Sequence, residues 1–158
     1  MTSGGSVGVM RRALAGIVGL SPWDARLGHG SFVTVEFGRE VALGPKWVRG
    51  EWHLWVYGAA WKLLAKDRVI ADADGVREDL AVAIPRINGR SVRQINVDDE
   101  LTVSITFESS FRLTIARGPE PELEDWRFNT PDGLVYLFGP GDRWRSLRHD
   151  EPDYGEQG

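Results

Sequence analysis

Three of the seven tryptophans and one of the three histidines lie in a single stretch, Glu51-Trp-His-Leu-Trp-Val-Tyr-Gly-Ala-Ala-Trp-Lys-Leu-Leu64. Side chains along a β-strand point alternately to its two faces. On that period one face of the stretch carries Trp52, Leu54 and Val56, and the other carries His53, Trp55, Tyr57, Ala59 and Trp61. Because both faces are mostly apolar, the pattern predicts a strand in the middle of the fold, covered on both sides. Gly58 interrupts the run and predicts a bulge or a close approach of another backbone segment.

The composition is typical of a one-domain globular protein with an excess of large rings. The chain has 158 residues, of which 42% are hydrophobic and 27% charged, enough to bury a core without a covalent staple. It contains no cysteine, which excludes disulfides, thiolate metal sites and thiol nucleophiles. We predict one domain over residues 9–148, preceded by a flexible N-terminus (1–8) and followed by a polar C-terminal tail (149–158).

Charge and hydropathy exclude two classes of partner. The net charge is −4 and no run of Lys or Arg occurs, which argues against nucleic-acid binding, because phosphate contacts need a concentrated basic surface. The segment Met10–Leu20 has two arginines before its apolar residues, but the apolar run is at the short end for a signal peptide. No stretch approaches the ~20 apolar residues that span a bilayer. We therefore expect a cytoplasmic protein that binds neither nucleic acid nor a membrane.

Two segments carry apolar residues at helical spacing. A short N-terminal helix is predicted over 9–19, with the stripe Met10, Leu14, Ile17 and Val18. The main helix is predicted over 75–87, with the stripe Val76, Leu80, Ala83, Ile84 and Ile87. Asp72 and Asp74 are candidate N-caps. Pro85 should end the regular helix near Ile84, because proline removes a backbone donor.

Most of the remaining chain alternates like β-strands. Residues 31–38 predict one strand, and hairpins are predicted over 101–115 and 126–138, the second with Asp132-Gly133 at its turn. Together these elements predict an α+β fold: a mainly antiparallel, twisted sheet of six to eight strands, with a half-barrel as an option. The main helix packs on one face of that sheet, and the N-terminal helix lies beside it.

Three segments taken together resemble a known family. They are Gly30-Ser-Phe-Val-Thr-Val-Glu-Phe-Gly38, His53-Leu-Trp-Val-Tyr57 with Trp61 beyond it, and Gly139-Pro-Gly141 followed by Trp144. The combination resembles an uncharacterised family of small bacterial hypothetical proteins, for which we expect an actinobacterial source, over residues 20–147. No activity is assigned to that family, so the resemblance implies relatives but no function. The chain also resembles, more loosely, small acidic immunity proteins of contact-dependent toxin systems.

The candidate binding residues are His53, Trp55, Tyr57 and Glu36. If Glu36 and Phe32 share the face of His53, a carboxylate, an imidazole and several rings line one surface that could bind a small molecule or act as an acid or base. The alternative, which we favour, is that Glu36 points to solvent, opposite Val33, Val35 and Phe37. His53 is then a strand residue with a hydrogen-bonded ring.

Other constellations are weaker. Ser31, His53 and Asp125, or His29 with Ser31, have the residue types of a catalytic triad, but no serine lies in a nucleophile elbow. The three histidines share no ligand spacing, so no metal site is predicted. The acidic groups Asp98–Glu100 and Glu120–Asp125 predict solvated turns or an acidic surface for a basic partner. Trp52 and Trp61 are assigned to the core, with Trp47, Trp126 and Trp144 as candidates for a rim.

The sequence thus favours a binding protein over an enzyme. We predict a non-enzymatic interaction protein, immunity-like in one specific form, with no catalytic residues, no cofactor and no metal. The expected partner is a basic protein, and a homodimer through an open sheet edge is a further option. The alternative is a small-molecule-binding protein or an enzyme that uses an aromatic pocket beside the 51–64 stretch.

Overall fold

The structure, a computed structural model, describes residues 7–28, 32–46, 48–119, 122–139 and 144–148. Its helices are α1 (Val7–Ala15) and α2 (Arg77–Ala83), and short 3₁₀ segments span Ile84–Ile87 and Glu108–Ser110. Its strands are β1 (Asp24–Leu27), β2 (Val33–Ala42), β3 (Val48–Val56), β4 (Ala60–Ala65), β5 (Arg68–Asp72), β6 (Val92–Val97), β7 (Val103–Phe107), β8 (Phe111–Ala116), β9 (Trp126–Asn129), β10 (Leu134–Phe138) and β11 (Trp144–Arg148).

The strands form two antiparallel sheets. Sheet A has six strands in the order β1-β2-β3-β9-β10-β11, and sheet B has five in the order β5-β4-β8-β7-β6. The predicted α+β class, the antiparallel pairing and the helix within residues 75–87 are confirmed. The strands divide into two sheets where one sheet of six to eight strands was expected, and neither sheet closes into a barrel.

The 51–64 stretch is the point where the chain passes from one sheet to the other. Its first half belongs to β3, between β2 and β9, and its second half to β4, between β5 and β8. At the break, the backbone N–H groups of Tyr57 and Gly58 both donate to the carbonyl of Asp125, at 3.1 and 3.0 Å. A Cβ on Gly58 would lie 2.3 Å from the Glu124 carbonyl oxygen. The close backbone approach predicted at Gly58 is confirmed, and this contact joins the two sheets.

One apolar core unites both sheets and the helices. Its fully buried rings include Trp61, Phe37, Phe107, Phe128 and Phe138, all at most 2% exposed. Trp126 stacks on Phe138 with ring centroids 5.3 Å apart. The suggestion that Trp126 and Trp144 lie at a rim is wrong, because each is only 2% exposed. Trp47 lies outside the described residues. The face of sheet A that meets this core is called the inner face below.

Helix α2 ends at Ala83, two residues before Pro85. The regular helix stops at Ala83 and continues as a 3₁₀ turn, Ile84–Ile87, with Pro85 in its first turn. The predicted capping role of Asp72 and Asp74 is wrong: the N-cap is Val76, without a side-chain cap. Asp72 instead accepts the backbone N–H of Asp74 at 2.9 Å. Val76, placed in the apolar stripe, is 61% exposed.

Helix α1 lies against the edge of sheet B. Met10, Leu14 and Ile17 are buried as predicted, whereas Val18 is 47% exposed, because the helix ends at Ala15 rather than at residue 19. The segment after the helix pairs with β6 through reciprocal hydrogen bonds of 2.8 Å, from Gly19 to Val92 and from Val92 to Leu20. Of the predicted flexible start, residues 1–6 lie outside the described part, and Val7 and Gly8 open α1. Within the described ranges, no helix is long and apolar enough to cross a membrane.

Candidate functional site

The outer face of sheet A, the face turned away from the core, collects the predicted binding residues. The β2–β3 register sets Glu36 opposite His53 and Thr34 opposite Trp55. The β3–β9 register sets His53 opposite Asn129 and Trp55 opposite Arg127. Because directly paired residues of an antiparallel sheet point to the same side, all of these side chains share the outer face.

Glu36 and His53 form a tight pair. The Nδ1 atom of His53 lies 2.8 Å from each carboxylate oxygen of Glu36, and Glu36 also accepts the backbone N–H of Gly50 at 2.8 Å. A carboxylate only accepts hydrogen bonds, so Nδ1 carries the hydrogen and Nε2 is left on the other side of the ring. The predicted hydrogen-bonded ring of His53 is confirmed. The favoured expectation that Glu36 points to solvent is wrong, since the residue is only 4% exposed.

Burial also acts on Arg49, which precedes this pair on β3. Burial lowers the pKa of Arg49, and the charge of Glu36 opposes that effect by raising it. A Cβ on Gly50 would come within 2.4 Å of the Phe37 carbonyl oxygen, so β2 and β3 approach closely here. The Gly50 N–H and the His53 imidazole therefore fix the position of the Glu36 carboxylate on the outer face of the β2–β3 pair.

Three partly exposed rings form a cluster further along the same face. Phe32 lies edge-on to Trp55 and to Tyr57, with centroid separations of 6.1 and 5.9 Å, and Trp55 lies 4.9 Å from Tyr57. The guanidinium of Arg127 sits 5.6 Å from the Trp55 ring centroid, within cation–π range. We call Phe32, Trp55 and Tyr57 the aromatic cluster.

Glu124 holds the cluster and its arginines in place. One carboxylate oxygen accepts the Tyr57 hydroxyl and, at 2.9 Å, the Arg127 guanidinium; the other accepts Arg145 at 2.7 Å. Burial and the neighbouring Glu124 raise the pKa of Tyr57, so its hydroxyl remains a donor. The expectation that this acidic loop is fully solvated is wrong, because Glu124 is bound on both oxygens and Asp125 is 3% exposed.

Asp125 has a structural role beside this network. Its carboxylate accepts the backbone N–H of Gly118 at 3.1 Å, and its own N–H donates to Phe138 at 2.7 Å. Burial raises the pKa of Asp125, while the Gly118 N–H and Arg117 oppose that effect. The segment that carries Glu124 is thus fixed between the two sheets, and this fixes Glu124 over the outer face.

Lowering the pH is expected to remove the contribution of Glu124 to stability. Burial raises the pKa of Glu124, but hydrogen bonds from Tyr57 and Arg127 outweigh it and leave the pKa below the ordinary 4.5. The stabilisation is therefore complete above that ordinary value and is lost as the pH falls through the folded-state pKa. At neutral pH, Glu124→Gln should cost about 1–3 kcal/mol of unfolding free energy, and the cost should shrink in acid.

Urea unfolding of both proteins from neutral pH down to about pH 3 measures this difference. Glu122→Gln is the matched control, since Glu122 is an exposed carboxylate of the same loop and should show no comparable pH dependence. A gap between wild type and Glu124→Gln that stays constant over this pH range would contradict the assignment.

The structure does not assemble the other constellations. His53 pairs with Glu36, whereas Asp125 binds Gly118, so these two members of the considered triad are not brought together. Ser31, His29 and His149 lie outside the described residues, as does Glu120. Among the residues that are described, no group of three potential metal ligands occurs.

The sequence predicts that both faces of the 51–64 stretch are covered, but neither described helix has its main contacts on the face of His53, Trp55 and Tyr57. Within the described part of the chain, α1 contacts β6 and α2 contacts β5, β1 and the following 3₁₀ turn. These contacts place the helices away from the aromatic cluster, whose members remain partly exposed. The two best-formed clefts, of about 370 and 300 Å³, also lie elsewhere and include none of these three residues. On this face the three rings are partly exposed, whereas Glu36, Arg127 and Asn129 are buried.

Sequence reasoning missed Arg127, Arg145 and Glu124 as members of this site. Arg127 was detectable, because it alternates with Trp126 and Phe128 and so must face away from the core. The contacts of Glu124 with Arg145 and Tyr57 had no local signal, since they join residues 21 and 67 positions apart.

The fold and site therefore define a two-sheet α+β protein with an aromatic and arginine-bearing outer face. Comparisons with protein-family models, with curated proteins and with solved structures found no match to this chain. The resemblance to the uncharacterised bacterial family stays a prediction.

Proposed function

We propose that this protein is a non-enzymatic interaction protein that binds a protein partner through the outer face of sheet A. The observation that carries the proposal is the aromatic cluster, which is partly exposed although Arg127 and Glu124 hold it in place. Tyr, Trp and Arg are enriched at the energetic centres of protein interfaces. Rings that are already held in place lose little side-chain entropy on binding.

The shape of the surface favours a protein over a small molecule at this position. Small ligands bind in concave pockets that cover most of their surface. The aromatic cluster lies instead on a sheet face, and neither of the two best-formed clefts reaches it. The alternative of a small-molecule pocket on the His53 side of β3 is therefore less well supported than a protein interface.

The partner we propose is basic, in keeping with the net charge of −4. The structure uses Glu124 and Asp125 internally, so the charge that attracts such a partner comes from carboxylates that remain exposed. Exposed carboxylates in the described loops and turns include Asp98, Asp99, Glu100 and Glu122, with Asp67, Asp74 and Asp132 elsewhere. An immunity-like role, in which the partner is a basic toxin, is one specific form of this proposal, and cytoplasmic residence would agree with it.

The test is capture of a partner by wild type and by variants of the outer face. Trp55→Ala removes the centre of the aromatic cluster, and Thr34→Arg places a positive charge opposite Trp55 on the same face. A protein recovered by wild type, identified and purified, should bind each variant at least roughly thirtyfold more weakly, as expected for a hot spot. The control is Val82→Ala, which shortens a 73% exposed side chain on α2 and should leave binding unchanged.

Thermal unfolding of each variant checks that weakened binding is not caused by unfolding. A purified partner that binds Trp55→Ala and Thr34→Arg as tightly as wild type would refute the outer-face interface. Recovery of a second copy of this chain, abolished by the same substitutions, would make the partner a homodimer and would replace the basic partner proposed here.

A further inference from the structure

A cleft of about 300 Å³ lies on the other side of sheet A, between α1 and the β9–β10 turn. Its lining residues are Arg12, Ala13, Trp52, Thr130, Pro131, Asp132 and Tyr136. We call it the Trp52 cleft. It shares no residue with the outer face, because Trp52 and His53 are neighbours on one strand and point to opposite sides.

The aromatic wall of this cleft is built in advance. The Trp52 indole stacks on Phe128, with centroids 5.7 Å apart and ring planes 29° from parallel. On its other side a Cβ at Gly16 would come within 2.0 Å of the indole, so only glycine allows the turn after α1 to close on this ring. Tyr136 supplies a second ring, 6.1 Å from that of Trp144. Because Phe128 and Gly16 occupy the two sides of the indole, the ring is fixed, and an apolar group can contact its remaining edge and Tyr136.

Opposite charges line the cleft without neutralising each other. Arg12 comes from α1 and Asp132 from the β9–β10 turn, and no ion pair joins them in the described structure. Asp132 accepts the hydroxyl of Thr130, which leaves carboxylate lone pairs for another donor. Burial, and then Asp132, raise the pKa of Tyr136, so its phenol stays protonated and can donate.

We propose that the Trp52 cleft binds a small zwitterion of the α-amino acid class with an aromatic or apolar side chain. The ligand carboxylate would bind the Arg12 guanidinium and its ammonium group would bind Asp132, so that one molecule pairs with both of these exposed charges. Its side chain would lie against Trp52 and Tyr136, where rings and alkyl groups leave water. The cleft is at the lower end of the volumes found for ligand sites, which fits a ligand of this size.

The experiment is calorimetric titration of the whole chain with L-phenylalanine and L-leucine as probes. Phenylalanine amide lacks the carboxylate, N-acetylphenylalanine lacks the ammonium group, and glucose tests a neutral polar ligand. Arg12→Gln keeps a good helix former on the exposed side of α1. Asp132→Asn keeps the turn, because Asn and Asp serve equally before glycine.

Wild type should bind the two amino acids and should bind each single-charge analogue roughly tenfold to hundredfold more weakly. Arg12→Gln should lose the preference for the carboxylate and Asp132→Asn the preference for the ammonium group. Lys66→Gln, which removes a cation lining the other cleft, is the control and should bind like wild type. The proposal is overturned if neither amino acid binds at millimolar concentration, if glucose binds more tightly, or if Arg12→Gln and Asp132→Asn bind like wild type.

Discussion

Gly58→Ala is expected to destabilise the folded protein by about 3 kcal/mol or more. The new Cβ would lie 2.3 Å from the carbonyl oxygen of Glu124, and that atom belongs to a backbone, which cannot turn aside like a side chain. Gly118 approaches the same place so closely that its Cβ would meet the Gly58 carbonyl oxygen at 1.7 Å. The substitution therefore forces apart the only crossing at which β3, β4 and the Glu124 segment meet in the described structure.

Urea unfolding measures this effect, with Gly28→Ala as the control. A Cβ on Gly28 would find its nearest neighbour at 3.8 Å, an ordinary contact, so this change should stay within about 1 kcal/mol of wild type. The aromatic cluster should also loosen in Gly58→Ala, because Glu124 is displaced. An unfolding free energy of Gly58→Ala equal to that of Gly28→Ala would contradict the crossing.

Glu36→Ala is expected to cost about 3 kcal/mol, because it removes the partner of a buried backbone N–H and of a partly buried imidazole at once. The Gly50 N–H loses its acceptor and the His53 ring loses the carboxylate that orients it. Glu36→Gln should cost only about 1 kcal/mol, since the amide oxygen can still accept one of these hydrogen bonds. Both substitutions remove the same negative charge. The difference in unfolding free energy between them therefore measures the hydrogen bonds.

Glu40→Ala is the matched control for this pair of substitutions. Glu40 is an exposed carboxylate on the same strand, so its replacement should change the unfolding free energy by no more than about 0.5 kcal/mol. The nitrogen chemical shifts of His53 report the ring directly, and the Nδ1–H form should be lost in Glu36→Ala. Equal stability of Glu36→Ala and Glu40→Ala would show that the buried pair contributes nothing.

Some strands of the fold could be predicted from the sequence and others could not. Alternation of apolar residues identified β2, β3, β7, β8, β9 and β10 and the buried positions within them, because a strand facing a core must alternate. It did not identify β1 or β11, whose residues Asp24–Leu27 and Trp144–Arg148 are largely polar. These strands exist because a neighbouring strand offers them free backbone groups, which is a property of the assembled sheet.

The candidate site divides in the same way. Strand periodicity placed His53, Trp55 and Tyr57 on one face; the register with β2 and β9 confirms this for His53 and Trp55, and Tyr57 contacts the Trp55 ring. Whether Glu36 is solvated or paired depended on the contact with Gly50 across the strand pair, which no local pattern reports. The arginines and Glu124 were assigned to loops and rims, because an ion-pair network over a sheet face forms between segments distant in sequence.

By itself, then, the sequence determined which residues alternate, where proline and glycine interrupt the backbone and which stretch is central. Tertiary structure alone decided that the 51–64 stretch contributes strands to two sheets, that Glu36 is buried against His53 and that Glu124 binds Tyr57 and two arginines. The physical reason is that periodicity depends on local geometry, whereas the choice of neighbour depends on the packing of the whole chain. Gly58 shows both effects. The glycine is visible in the sequence, but the backbone that occupies the space beside it belongs to Glu124, 66 residues away.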